Sequence, residues 1–182
     1  LIPKIKQKLK YINSVFGTNF SNVTEYVSFA DLIKVSRIHD KPLLKKLPDE
    51  QEKEIISLES KNKLKFLTYP KVACIYGKNF ITRVIQTLQS QNTHKYFLYV
   101  GHDANIITIT SLLGFDLKSK PPYLSNLRIE IFQNTKNKNS FVKTFLDGQI
   151  IKICKVDDIC PLKEFIMTLK NNVKNKCNIT AI

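Results

Sequence analysis

Seven consecutive residues, Lys95-Tyr-Phe-Leu-Tyr-Val-Gly101, constrain this chain most. They form a nearly unbroken apolar run rich in aromatic and β-favouring side chains. Such a run predicts a strand buried on both faces near the middle of a sheet. It ends in Gly-His-Asp, and Ala104 to Leu113 follow at once with a helical pattern that Gly114 closes. A buried strand that turns directly into a helix points to an α/β sheet core. It also marks a place for chemistry, because open α/β sheets bind ligands at the carboxyl ends of their strands.

The rest of the chain divides around this junction. Ile5, Leu9, Ile12, Val15 and Phe16 recur at helical spacing and predict a helix over 3–16. A second is expected over 24–38, with Val27, Leu32, Ile33 and Val35 on one side and Thr24 or Ser28 as cap. Pro42 and Pro48 bracket a turn-rich segment. An acidic first turn from Asp49 opens a third helix to about Ser60. After Pro70, a long helix is predicted from Gly77 to Gln91 through Phe80, Ile81, Val84, Ile85 and Leu88. Beyond the junction, strands are expected at Leu127–Phe132, Ser140–Leu146 and Ile150–Cys154, with Asp147-Gly148 as a hairpin turn. A closing helix is predicted over Cys160–Leu169, with Pro161 in its first position.

At the junction, Gly101 lets backbone approach a ligand closely. The following helix turns unpaired N–H groups and a positive dipole end toward the same place, which favours phosphate. His102 can donate to a phosphate oxygen. Asp103 can protonate a leaving oxygen, and Asn105 adds a neutral amide. The same pair serves equally well as a helix cap, with Asp103 holding backbone donors and His102 merely packed. His39, before a proline turn, and His94, in a loop-like stretch, have weaker claims. No glycine-rich phosphate loop and no Gly-X-Ser-X-Gly elbow is present.

The formal net charge is +14, which attracts anions in general. The excess is mostly lysine, spread over clusters near Lys4–Lys10, Lys61–Lys65, Lys136–Lys138 and Lys170–Lys176, and reads as a solvated surface. Arginines stand only at Arg37, Arg83 and Arg128, so no nucleic-acid partner is expected. The longest apolar runs are too short to span a bilayer. Of four cysteines, Cys154 and Cys160 lie close enough to staple a turn, and their spacing without a His pair is poor for zinc. Asn-X-Ser/Thr sequons at Asn19, Asn22 and Asn178, together with the cysteines, lean toward a secreted or lysosomal protein.

The block Tyr99-Val-Gly-His-Asp-Ala-Asn-Ile106 resembles the second motif of the histidine acid phosphatases and phytases, where a strand ends in Gly-His-Asp or Ala-His-Asp. Three more segments agree in order. Pro121-Pro-Tyr-Leu-Ser125 with Leu127-Arg-Ile-Glu-Ile131 resembles the family's Pro-Pro-Tyr-Ala-Ser segment and the strand after it. Cys160-Pro-Leu-Lys-Glu-Phe165 resembles a Cys-Pro-Leu-X-X-Phe segment, and Asp31–Pro48, with His39 and Pro42, resembles a stretch bordering the helical cap. The resemblance implies an α/β fold: a histidine-phosphatase-like sheet core flanked by helices, with part of a helical cap domain. It implies one incomplete domain, with residues 1–70 mostly helical cap and 71–182 the C-terminal part of the core.

The implied chemistry is acid hydrolysis of phosphate monoesters through a phosphohistidine, without cofactor or metal, and a homodimer is the candidate assembly. In it Asp103 is the proton donor, His102 a phosphate contact, and Asn105 and Gly101 face the substrate. Cys154 and Cys160 match a family disulfide. Cys177 matches a late cysteine whose family partner lies outside this chain, and Cys74 has no assigned partner. One departure limits the match. The family's nucleophilic Arg-His-Gly-X-Arg-X-Pro motif is absent here, and Arg37-Ile-His39 is no substitute. The chain, which begins at Leu1, is therefore expected to be a fragment that is inactive alone. The competing expectation is an inactive relative that binds phosphate or polyanions through its basic charge.

Overall fold

The computed structural model describes residues 2–39, 47–90, 95–154 and 158–178. The expected turn segment around Pro42 and the loop at His94 lie outside these residues. The chain forms two compact units, Leu1–Lys63 and Leu64–Ile182.

The first unit is helical. Helix α1 (Ile2–Phe16) buries Ile5, Leu9 and Ile12, the stripe its spacing predicts. Helix α2 (Val23–Ile38) turns a different face inward from the one expected, burying Tyr26, Phe29, Ala30 and Ile33 while Leu32 is exposed. Two aromatic residues on that face outweigh the aliphatic count. Phe29 packs edge-on against Phe16, and Tyr26 donates its hydroxyl to the Ile55 carbonyl at 2.9 Å. Burial, with Glu54 and Glu59 adding to it, pushes the Tyr26 hydroxyl pKa well up. Helix α3 (Asp49–Leu67) runs past the predicted end at Ser60, because nothing between Lys61 and Leu67 stops a helix.

The cap of α2 is Asn22, not Thr24 or Ser28. Its side chain accepts from the Glu25 N–H at 3.0 Å, and Glu25 accepts from the Ser21 and Asn22 N–H groups. These backbone bonds hold the Glu25 carboxyl below its usual range. Its stabilising effect is therefore full above the unfolded Glu range and is lost as pH falls through the lower, folded value. Asn22→Ala is expected to destabilise this unit by about 1 kcal/mol, readable as a lower midpoint in urea. An unchanged midpoint would show that the box contributes nothing.

The second unit carries the sheet. Helix α4 (Pro70–Gln89) starts seven residues before the predicted Gly77, with Pro70 where a missing N–H costs nothing. Helix α5 (Asp103–Leu112) is buried almost all round. It crosses α4 so closely that a Cβ on Gly77 would lie 2.7 Å from Leu112 Cδ1 and 3.3 Å from the Thr108 carbonyl oxygen. Its buried hydroxyls bond back to the helix, Thr108 to the Ala104 carbonyl and Thr110 to the Ile106 carbonyl. Lys176 Nζ donates to the Ser111 carbonyl at 2.6 Å and its hydroxyl at 3.0 Å. Strands β1 (Leu127–Gln133) and β2 (Ser140–Leu146) pair antiparallel, Leu127 opposite Leu146 and Gln133 opposite Ser140. β2 also pairs with β3 (Gln149–Ile150) and β4 (Cys160–Pro161). Helix α6 (Leu162–Cys177) packs Phe165 and Leu169 into a core with Ile81, Ile109, Leu112 and Val142.

Four expectations need correction here. Residues 95–101 pair with none of the described strands. Their exposure alternates as in an extended chain: Phe97 and Tyr99 are 40% and 45% exposed, while Tyr96, Leu98 and Val100 are 76%, 71% and 90% exposed. The pattern of a buried strand is present, but its outer face has nothing described against it. The third strand is Gln149–Ile150 rather than Ile150–Cys154, and the last bond it sends to β2 is from the Ile151 N–H to the Thr144 carbonyl at 2.8 Å. Cys160 and Pro161 join the sheet as β4, so the last helix starts at Leu162 with Pro161 as its N-cap, and it runs on to Cys177. Finally, Cys177 is bonded to Cys74 within this chain, with Cα atoms 5.4 Å apart. Its partner is not outside the chain, because the packing of α4 against α6 brings the two together. Cys154 and Cys160 are joined as expected.

Candidate active site

The Gly-His-Asp junction keeps its place at the start of α5, although the run before it joins none of the described strands. His102 is the N-cap of α5, with extended backbone at φ −108° and ψ 167°. Its N–H donates to Asn105 Oδ1 at 2.8 Å. That bond brings Asn105 so near Gly101 that a Cβ there would lie 2.8 Å from Oδ1, so any side chain at 101 would push the cap apart. Gly101 is thus required by the Asn105 cap as well as suited to a ligand. The cap also takes the oxygen of Asn105, leaving its NH2 as the part that could meet a substrate.

Asp103 is the first helical residue and half-buried, while His102 is exposed. Asp103 Oδ1 accepts the Ala104 N–H at 2.8 Å, and Oδ2 lies 3.4 Å from Lys120 Nζ. Asn105 accepts the His102 N–H, while Asp103 still holds the Ala104 N–H, so the capping at the helix start is shared between them. Together the junction offers a carboxyl group, an imidazole, and a positive helix end, all in one turn.

Lys120 was not legible as a site residue. It stands two residues from Lys118 in a lysine-rich chain, and only the rigid Pro121-Pro122 after it set it apart. A cavity of about 380 Å3 lies beside it, walled by Phe115, Leu117, Lys118, Pro122 and Asp147 as well as Lys120. His39 and Arg37 belong to the other unit. His39 closes α2, its N–H on the Val35 carbonyl. Arg37 Nη2 meets Asp49 at 3.3 Å, and its Nε lies 2.6 Å from Glu52 Oε1 as a charge contact rather than a directed hydrogen bond.

Residues 7–147 match the histidine phosphatase superfamily, branch 2. The chain belongs to this family. Among its relatives is lysophosphatidic acid phosphatase type 6 of Mus musculus, 24% identical over 179 residues, covering 92% of this chain and 42% of the relative. Counting factor 60 of Dictyostelium discoideum is 25% identical over 146 residues, covering 78% of this chain and 35% of the relative. The apo form of Hafnia alvei phytase shares the fold, with a TM-score of 0.58 at 15% identity over 85% of this histidine phosphatase chain and 48% of its own. The α/β histidine-phosphatase architecture is therefore the fold. The chain spans less than half the length of these relatives.

Proposed function

We propose that this histidine phosphatase chain carries the proton-donating half of an acid phosphatase site. The observation that supports it best is the Asp103 carboxyl group at the first position of α5, beside the exposed His102 and the positive end of that helix. In the reaction the nucleophilic imidazole attacks phosphorus, forming a P–N bond as the P–O bond to the alcohol breaks. Asp103 gives its proton to the departing oxygen and is left as carboxylate. His102 steadies a phosphoryl oxygen. The nucleophile belongs to an Arg-His-Gly segment that this sequence does not contain. The substrate class is a phosphate monoester, and the names of the relatives make lysophosphatidic acid one compound to try. Residues 1–70 are assigned to the cap and 71–182 to the core. The two disulfides suit an oxidising compartment, secreted or lysosomal, where the sequons at Asn19, Asn22 and Asn178 would be glycosylated.

The test is phosphate release from p-nitrophenyl phosphate and lysophosphatidic acid at acidic pH. The 182-residue chain is expected to release none, and a longer form that includes an Arg-His-Gly-X-Arg-X-Pro segment to release it catalytically. Turnover by the chain alone would overturn the divided site. The net charge of +14 supports a second reading, a polyanion-binding relative without activity. That reading requires an inactive longer form and heparin binding that weakens steeply with salt.

A further inference from the structure

A lysine normally keeps its charge in water. Lys120 instead has a side chain only 7% exposed, with Nζ 3.4 Å from Asp103 Oδ2. Burying an ammonium group is costly unless a partner of opposite charge is held beside it. The backbone that delivers it is rigid. Pro121, which is buried, fixes its own φ and keeps Lys120 out of helical geometry. A few residues on, Ser125 Oγ and the Asn126 N–H both donate to the Asp147 carboxylate at 2.7 to 2.8 Å. Lys120 is thus carried on a short stretch anchored to the β2–β3 hairpin.

The effect on Asp103 is geometric. Its Oδ1 is engaged by the Ala104 N–H and its Oδ2 by Lys120, from different elements. A carboxyl group held at both oxygens has lost the freedom to turn between staggered side-chain wells. A carboxyl oxygen has two lone-pair sites, so one that accepts a hydrogen bond can still carry a proton at the other. We propose that Lys120 is the positioning residue of the proton donor, holding the Asp103 carboxyl group toward the leaving oxygen of a bound phosphomonoester. This rests on Asp103 being the acid.

Two measurements test it. In the 182-residue chain, the three-bond Hα–Hβ couplings of Asp103 report its side-chain rotamer. One rotamer is expected in the native chain and in Lys120→Arg, and averaged couplings in Lys120→Met. Asp103 couplings that ignore Lys120→Met would overturn the proposal. Should Lys120→Met not fold, Asp103→Asn approaches the pair from the other side and must shift the Lys120 ammonium signal; an unmoved signal is equally fatal. In an active longer form, Lys120→Met is expected to slow alkyl phosphates about 10- to 100-fold. It should slow p-nitrophenyl phosphate less than about threefold, and Lys120→Arg should recover most of the loss. Equal slowing of both substrates would mean a structural role only. Asp103→Asn run in parallel separates the failures. If it too shows no dependence on the leaving group, the acid assignment is wrong. If it does and Lys120→Met does not, only the positioning role fails.

Discussion

In an active form of the protein, Asp103→Asn should slow hydrolysis of alkyl phosphates by about 10²- to 10⁴-fold. An alkoxide leaves poorly without a proton, and Asn has none of suitable acidity to give. The expected loss corresponds to about 3 to 5 kcal/mol of barrier. Esters of p-nitrophenol should be affected far less, since p-nitrophenolate departs unaided. The side chains are nearly the same size, and Asn can still accept the Ala104 N–H, so the start of α5 is expected to stay in place. Steady-state rates across a series of leaving groups decide the matter. A flat series would remove Asp103 from the chemistry and return the His102–Asp103 pair to a structural role.

The second large effect concerns stability. Cys74, in the first turns of α4, is bonded to Cys177, the last residue of α6, across a separation of 103 residues. Linking positions so far apart restricts the unfolded chain strongly, worth about 4 to 5 kcal/mol on loop entropy alone. The Cys154–Cys160 link closes a separation of only 6 residues and restricts it about half as much. Replacing Cys74 and Cys177 by Ala is therefore expected to lower the melting temperature by about 10 to 15 °C. The Cys154 and Cys160 double variant should fall by roughly half that. Calorimetry on both variants checks the order. A Cys74/Cys177 variant as stable as the native chain would mean the packing of α4 on α6 suffices without the link.

Much of this was readable from residue spacing. The apolar stripes of α1 and α4, the strands β1 and β2, and the Asp147-Gly148 turn between β2 and β3 follow from local periodicity and turn chemistry. Asp147 and Gly148 both take positive φ, 50° and 82°, as such a turn demands. The failures share a cause as well. Whether Lys95–Val100 forms a ladder depends on a neighbouring strand, which no residue within the run specifies. The inward face of α2 was set by which rings found partners, not by the count of aliphatic residues. The Cys74–Cys177 link arises from helix packing over a long separation, and cysteine spacing carries no such information. At the site, Gly101, His102 and Asp103 were legible because they are adjacent in sequence. Lys120 was not, since it arrives from 17 residues away and looks like any surface lysine.

The clamp of Ser125 and Asn126 on Asp147 has a consequence for how variation in this protein should be interpreted. The hairpin tip is exposed and distant in sequence from the acid, a place where substitutions are usually neutral. Here it anchors the stretch that sets where Lys120 stands. A change at Asp147 slackens that anchor, so a harmless-looking turn position inherits part of the sensitivity of the proposed acid and the lysine beside it.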